Sequence, residues 1–121
     1  MEIVDANIIL RYLLNDHHAL SAKSKKIIEQ KTIHLPFEVC AEVVYVLDKV
    51  YTVPRNKIED ALTLLINYPN ISTNNNAVIK QALKIYTQER IDFVDAILVA
   101  YYTLEGVTIH SFDKKLNKLC K

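Results

Sequence analysis

The stretch VDANIILRYLLND, Val4–Asp16, decides how the rest of the chain is read. Ile3 and Val4 read as the end of a short buried strand. Asp5 and Asn7 follow, and then Ile8, Ile9, Tyr12 and Leu13 recur at a spacing that turns one helical face toward a core. An acid that closes a strand and opens a helix sits where open α/β sheets place their ligands. The same residues have a plainer explanation, because Asp and Asn are favoured helix N-caps. Which explanation holds depends on where the other acids fall.

Composition narrows the field. With 121 residues the chain is expected to form a single domain, 1–121, large enough for a core without disulfide or metal staples. No apolar run is as long and uninterrupted as a membrane span requires. The chain enters its first strand without a basic, apolar leader, so a cytoplasmic location and no membrane association are expected. Cys40 and Cys120 fall on different elements, with no metal-ligand partners at useful spacing, which suits a reducing compartment. A net charge of +1 gives no global pull toward nucleic acid, so any such binding must come from a local basic patch. One glycine in the whole chain excludes glycine-rich phosphate cradles.

Along the chain, Ala19, Ala22, Ile27 and Ile28 mark the apolar face of a second helix, with Lys23, Lys25 and Lys26 across from them. His17 and His18 read as connection. Thr32–Leu35 reads as a second strand, stopped by Pro36, which fits the first position of a helix. His34 on that strand reads as a packed or hydrogen-bonded side chain rather than a ligand. Phe37, Cys40, Val43, Val44, Leu47, Val50 and Tyr51 form the stripe of the next helix. Another helix covers Lys57–Tyr68, and Asn70–Ser72 is either a very short strand or a connection. Thr73–Asn76 caps a helix through Val78, Ile79, Ala82, Leu83 and Tyr86. A further helix begins near Asp92, carries Phe93, Ala96, Ile97, Ala100 and Leu104 inward, and stops at Gly106. Val107–His110 reads as a last strand and Lys114–Lys118 as a short last helix. Strands alternating with helices predict an α/β fold with a short central parallel sheet and helices on both faces.

Right-handed crossovers place the N-terminus of each helix at the carboxyl edge of such a sheet. Asp5 ends the first strand, Asp113 follows the last one, and Asp95 lies in the first turn of its helix. Glu42 lies roughly 9 Å along its own helix at ~1.5 Å per residue, and its longer side chain reaches back. Each acid also has a bland role: Asp95 in a capping box with Asp92, Asp113 as a cap, Glu42 as wet surface. Together, like charges this close repel by roughly 1–4 kcal/mol per pair near a surface, which calls for a cation. An oxygen-only donor set suits Mg²⁺ or Mn²⁺, and zinc is disfavoured because no His or Cys joins it.

The blocks VDANIILRYLLND, AEVVYVL, DFVDAILVAYY and HSFDKKLNKL resemble the signature blocks of the PIN-domain family, and they are most similar to its VapC-type toxins of toxin–antitoxin pairs. They fall in family order over essentially the whole chain. The resemblance implies a three-layer α/β/α PIN-like fold. It also implies that Asp5, Glu42, Asp95 and Asp113 are catalytic and hold one or two Mg²⁺ or Mn²⁺ ions for hydrolysis of RNA phosphodiester bonds. Asn7 and Ser111 match the family's polar residues near the first and last acids and would orient carboxylates or water, with Asp92 a cap or a further member of the site. The second residue after the last aspartate, acidic in many relatives, is Lys115 here. RNA contacts are expected from Arg11, Lys114 and Lys115, the last two opposing the macrodipole of the helix they open. Lys23, Lys25 and Lys26 form a secondary rim. A cognate antitoxin and a homodimer are the partners implied. A housekeeping RNA-processing PIN nuclease and a catalytically silent PIN binding module remain as alternatives. A receiver-type signalling domain lacks its central acid here, since Ile71 and Ser72 stand at that place.

Overall fold

The computed structural model describes residues 1–121 and divides into two compact units, 1–74 and 75–121. The first unit contains the sheet. Its strands β1 (Glu2–Ile3), β2 (Ile33–Leu35) and β3 (Ile71–Thr73) are parallel in the order β1-β2-β3. The register pairs Ile3 with His34, and His34 with Ser72. Helices α1 (Ala6–Leu14) and α2 (His18–Gln30) connect β1 to β2, and α3 (Phe37–Lys49) and α4 (Arg55–Ile66) connect β2 to β3. The stretch left open as strand or connection is therefore a strand, and the fold class is the expected α/β with a short parallel sheet.

Burial explains why such short strands hold. Ile33 and Leu35 on β2 are fully buried, as are Ile9 of α1, Ile28 of α2, Val43 of α3 and Ile58 of α4. Each buried aliphatic side chain contributes about 1.5–3 kcal/mol relative to exposure. The inward face of α1 is Ala6, Ile9 and Leu10, whereas Tyr12 and Leu13 are only half-buried. Tyr12 instead meets Tyr68 edge-on, with the hydroxyls 2.7 Å apart. The inward face of α2 also differs from expectation: it is Ser21, Ser24 and Ile28, and Ala19 and Ala22 are exposed. Small side chains let α2 approach α1 closely, and Ser21 Oγ donates to the Arg11 carbonyl at 2.8 Å. Asn70 ties β3 to the end of α2 by donating to the carbonyls of Ile28 and Lys31. Ile3, read as buried, is 63% exposed, and Val4 is the buried residue of the pair. Pro36 is the N-cap of α3 rather than its first residue.

The second unit is helical. α5 (Asn76–Gln88) carries Val78, Ile79, Ala82, Leu83, Ile85 and Tyr86 inward, and α6 (Phe93–Glu105) presents Phe93, Ala96, Ile97, Val99 and Ala100. Tyr86 and Phe93 meet edge to face at 5.9 Å between ring centres. Gly106 ends α6 in the left-handed conformation, as its position suggested. The expected strand Val107–His110 is not formed. Val107, Thr108 and His110 are exposed. β-branched residues favour extended backbone, but propensity supplies no neighbouring strand to bond with. A short helix α7 (Lys114–Leu119) follows, anchored by buried Leu116.

Candidate active site

In the first unit, Asp5 and Glu42 line one cleft of about 240 Å³, together with Ala6, Asn7, Leu10, Arg11, Val46, Val50 and Tyr51. Local sequence sets each position. Asp5 follows β1 and caps α1, its Oδ1 accepting from the Ile8 amide at 3.2 Å. Glu42 lies on the exposed flank of α3, off the buried stripe Cys40, Val43, Val44 and Leu47. Neither carboxylate has an ion-pair partner. Capping uses Oδ1 of Asp5 and leaves Oδ2 for a ligand, so the two explanations of this residue are compatible. Asn7 lines the cleft and is exposed.

Arg11 stands in the same cleft, already partly engaged. Its Nη1 pairs with Asp16 at 2.9 Å, and its Nη2 donates to the Tyr51 hydroxyl at 3.0 Å. A guanidinium has five N–H donors, so capacity for a phosphate remains, in an orientation these partners fix. Sequence reading missed both partners. Tyr51 was counted on the apolar stripe of α3, yet it lies past the end of that helix and uses its hydroxyl. Its polar tip was the available signal.

In the second unit, Asp92 and Asp113 both act on Asp95. Burial, and then the charges of Asp92 and Asp113, hold the Asp95 carboxyl above the ordinary aspartate range. Asp92 occupies the N-cap of α6, but its side chain makes no capping bond, so the capping box with Asp95 is not formed. Asp113 does cap: its Oδ1 accepts from the Leu116 amide at 2.8 Å, and its own amide donates to Ser111 Oγ at 2.9 Å. Ser111 thus holds the backbone of Asp113 rather than its carboxylate. Because the expected strand is missing, Asp113 is placed by this cap and not by a strand end. Lys114 and Lys115 line a second cleft, of about 450 Å³, with Glu89, Lys118 and Leu119.

The donors available are hard oxygens. Cys40 is buried with its thiol pushed up to about 12, and His34 shares a hydrogen bond with Ser72 Oγ. His17 caps α2 through Nδ1, a role sequence reading assigned to neither histidine of that pair. Within neither unit do three or more His, Cys, Asp or Glu side chains form a ready-made metal cluster. The uncompensated carboxylates nevertheless fit a hard divalent cation, since unbalanced negative charge and oxygen donors are what Mg²⁺ and Mn²⁺ require. No helix is long and apolar enough to cross a membrane.

Residues 3–121, spanning both units, match the family described as PIN domain. No curated protein and no solved structure gives a match.

Proposed function

The chain belongs to the PIN domain family, and from that premise we propose that it is a divalent-metal-dependent endoribonuclease, the toxin of a toxin–antitoxin pair. PIN domains are generally metal-dependent nucleases. The observation that carries the reading here is the cleft shared by Asp5 and Glu42, two carboxylates from separate elements that form no ion pair, beside an Arg11 whose guanidinium is turned to Asp16 and Tyr51. The Asp95 carboxyl, raised by burial and by the charges of Asp92 and Asp113, supports it as well.

In this reading Asp5, Glu42, Asp95 and Asp113 together hold Mg²⁺ or Mn²⁺. The bound ion supplies Lewis-acid polarisation of a phosphate oxygen and acidifies a water. The chain's own residues do the rest. Asp5 and Asp113 each keep one oxygen on a helix cap, which fixes the direction of the other. Ser111 holds Asp113 in place through its amide. Asp95 binds the ion as its carboxylate, and Asn7 orients a neighbouring carboxylate or a water. Arg11, steadied by Asp16 and Tyr51, and Lys114 and Lys115 meet phosphate oxygens of the RNA. The working state is a homodimer in the cytoplasm, silenced by an antitoxin whose basic side chain enters the carboxylate site. A cation there relieves the same repulsion as a metal does.

The test is cleavage of RNA by rigorously purified protein. Activity is expected to vanish in chelator and return with Mg²⁺ or Mn²⁺. Full cleavage in chelator defeats the metal mechanism.

A further inference from the structure

Phe112 stands apart from every other apolar side chain in the protein. Its relative exposure is 106%, so no part of the ring is covered, whereas the other large exposed hydrophobics range from 39% to 85%. Isolated exposed apolar residues are ordinary. This one is held in place on both sides. Ser111 Oγ accepts from the Asp113 amide at 2.9 Å, Asn117 Nδ2 donates to the Ser111 carbonyl at 2.7 Å, and Asp113 Oδ1 accepts from Leu116. The ring therefore projects from a corner whose backbone is already ordered, and little further ordering is lost when something covers it. Beyond Asp113 the chain turns basic. Lys114 and Lys115 follow within three residues, and with Lys118, Leu119 and one acid, Glu89, they line a cleft. None of these lysines forms an ion pair.

We propose that Phe112 is a stacking platform for an unpaired nucleobase of single-stranded RNA, whose adjacent phosphates are held by Lys114, Lys115 and Lys118. Bare aromatic faces beside a basic groove are the means by which proteins bind single strands with little sequence preference. The chemistry favours RNA over an apolar protein surface, because Lys114 and Lys115, two and three residues from the ring and without ion pairs, would be costly to bury against one. Base-paired RNA offers no exposed base face, so the platform selects unpaired segments. The inference rests on the nuclease reading and supplies its substrate form. It also places an RNA contact next to Asp113, one of the proposed ligands.

The chain has no tryptophan, so Phe112→Trp introduces a unique fluorophore at the site. A labelled single-stranded oligoribonucleotide of random sequence is titrated with protein in chelator, where no cleavage intervenes. Phe112→Leu, which keeps the apolar character but removes the π-face, is expected to bind about tenfold more weakly than the wild type. Phe112→Trp is expected to bind at least as well as the wild type, with indole emission quenched by single-stranded RNA and unchanged by duplex of the same composition. Wild-type affinity in Phe112→Leu, alongside intact metal-dependent cleavage, overturns the stacking role and leaves the nuclease reading standing. Absence of both binding and cleavage in the wild type overturns both. An indole emission that shifts with protein concentration alone means that a second copy of the chain covers the ring, and the proposal fails.

Discussion

At the scale of single residues, a capping role leaves room for the proposed ligand role. Asp5 and Asp113 each give Oδ1 to a backbone amide and keep Oδ2. Asp92, read as a cap or a further member of the site, makes no capping bond with its side chain. Asp95 carries the clearest electrostatic signature. Its carboxyl is raised by burial and by Asp92 and Asp113, so the folded protein holds this proton more tightly than the unfolded chain does. Stability from this group is therefore greatest in acid and falls as pH rises from the ordinary aspartate range through the raised folded value. Asp95→Asn removes the repulsion, and the metal-free protein is expected to melt at a higher temperature at neutral pH while RNA cleavage drops at least a hundredfold. Glu42→Gln should lose cleavage similarly with an unchanged fold. Normal turnover in Asp95→Asn, with loss in Asp92→Asn, would reverse the roles of these two acids. Metal affinity should also weaken as pH falls through the range where Asp95 takes up its proton, which calorimetric titration at several pH values checks. The acids could be proposed from sequence because their order and spacing are read directly from it. The hydrogen bonds of Arg11 to Asp16 and Tyr51 were not, since they join side chains by folding rather than by pattern.

At the scale of elements, long amphipathic helices were readable and short or packing-dependent features were not. α5 buries every residue its period assigned to the core. α2 does not, because its inner face is Ser21 and Ser24, and hydropathy cannot show that a serine is buried to let two helices approach. β3 was ambiguous at three residues. Val107–His110 had the composition of a strand and lacked a partner. Two backbone positions separate sterics from contacts. Gly106 sits at φ 67° with no atom within 4 Å of an added Cβ. Gly106→Ala should thus cost about 1 kcal/mol, from the left-handed backbone alone, seen as a lower urea midpoint with an unchanged slope. Thr52 occupies the same region at φ 51° with a branched side chain. Thr52→Gly should gain up to about 1 kcal/mol in the same assay, since relief of that strain exceeds the flexibility added to the unfolded chain.

At the scale of the whole molecule, near balance of charge hides local imbalance. Fifteen basic and fourteen acidic residues sum to +1, yet the Asp5–Glu42 cleft and the Lys114–Lys115 cleft have opposite characters. Such segregation is what the proposed binding of both metal and polyanion requires. Expressed in a host without antitoxin, the wild type is expected to arrest growth, and Asp5→Ala is expected to be harmless. Equal harmlessness, with no RNA cleavage in the lysate, would favour a silent binding module instead. The family match runs through both units. The two thiols give a way to time the opening of the fold. Cys40, in the first unit, is 1% exposed with its thiol pushed up to about 12, and Cys120, in the second, is half-buried. Alkylation needs a reachable thiolate. Cys40 can therefore react only during moments when its surroundings come apart, while Cys120 reacts from the native state. The ratio of the Cys40 rate to that of a free thiol is an equilibrium constant for those openings, measured in plain buffer without denaturant. Bound metal or antitoxin should lengthen the wait, so one slow sulfur becomes a stopwatch for how firmly each partner clamps the fold.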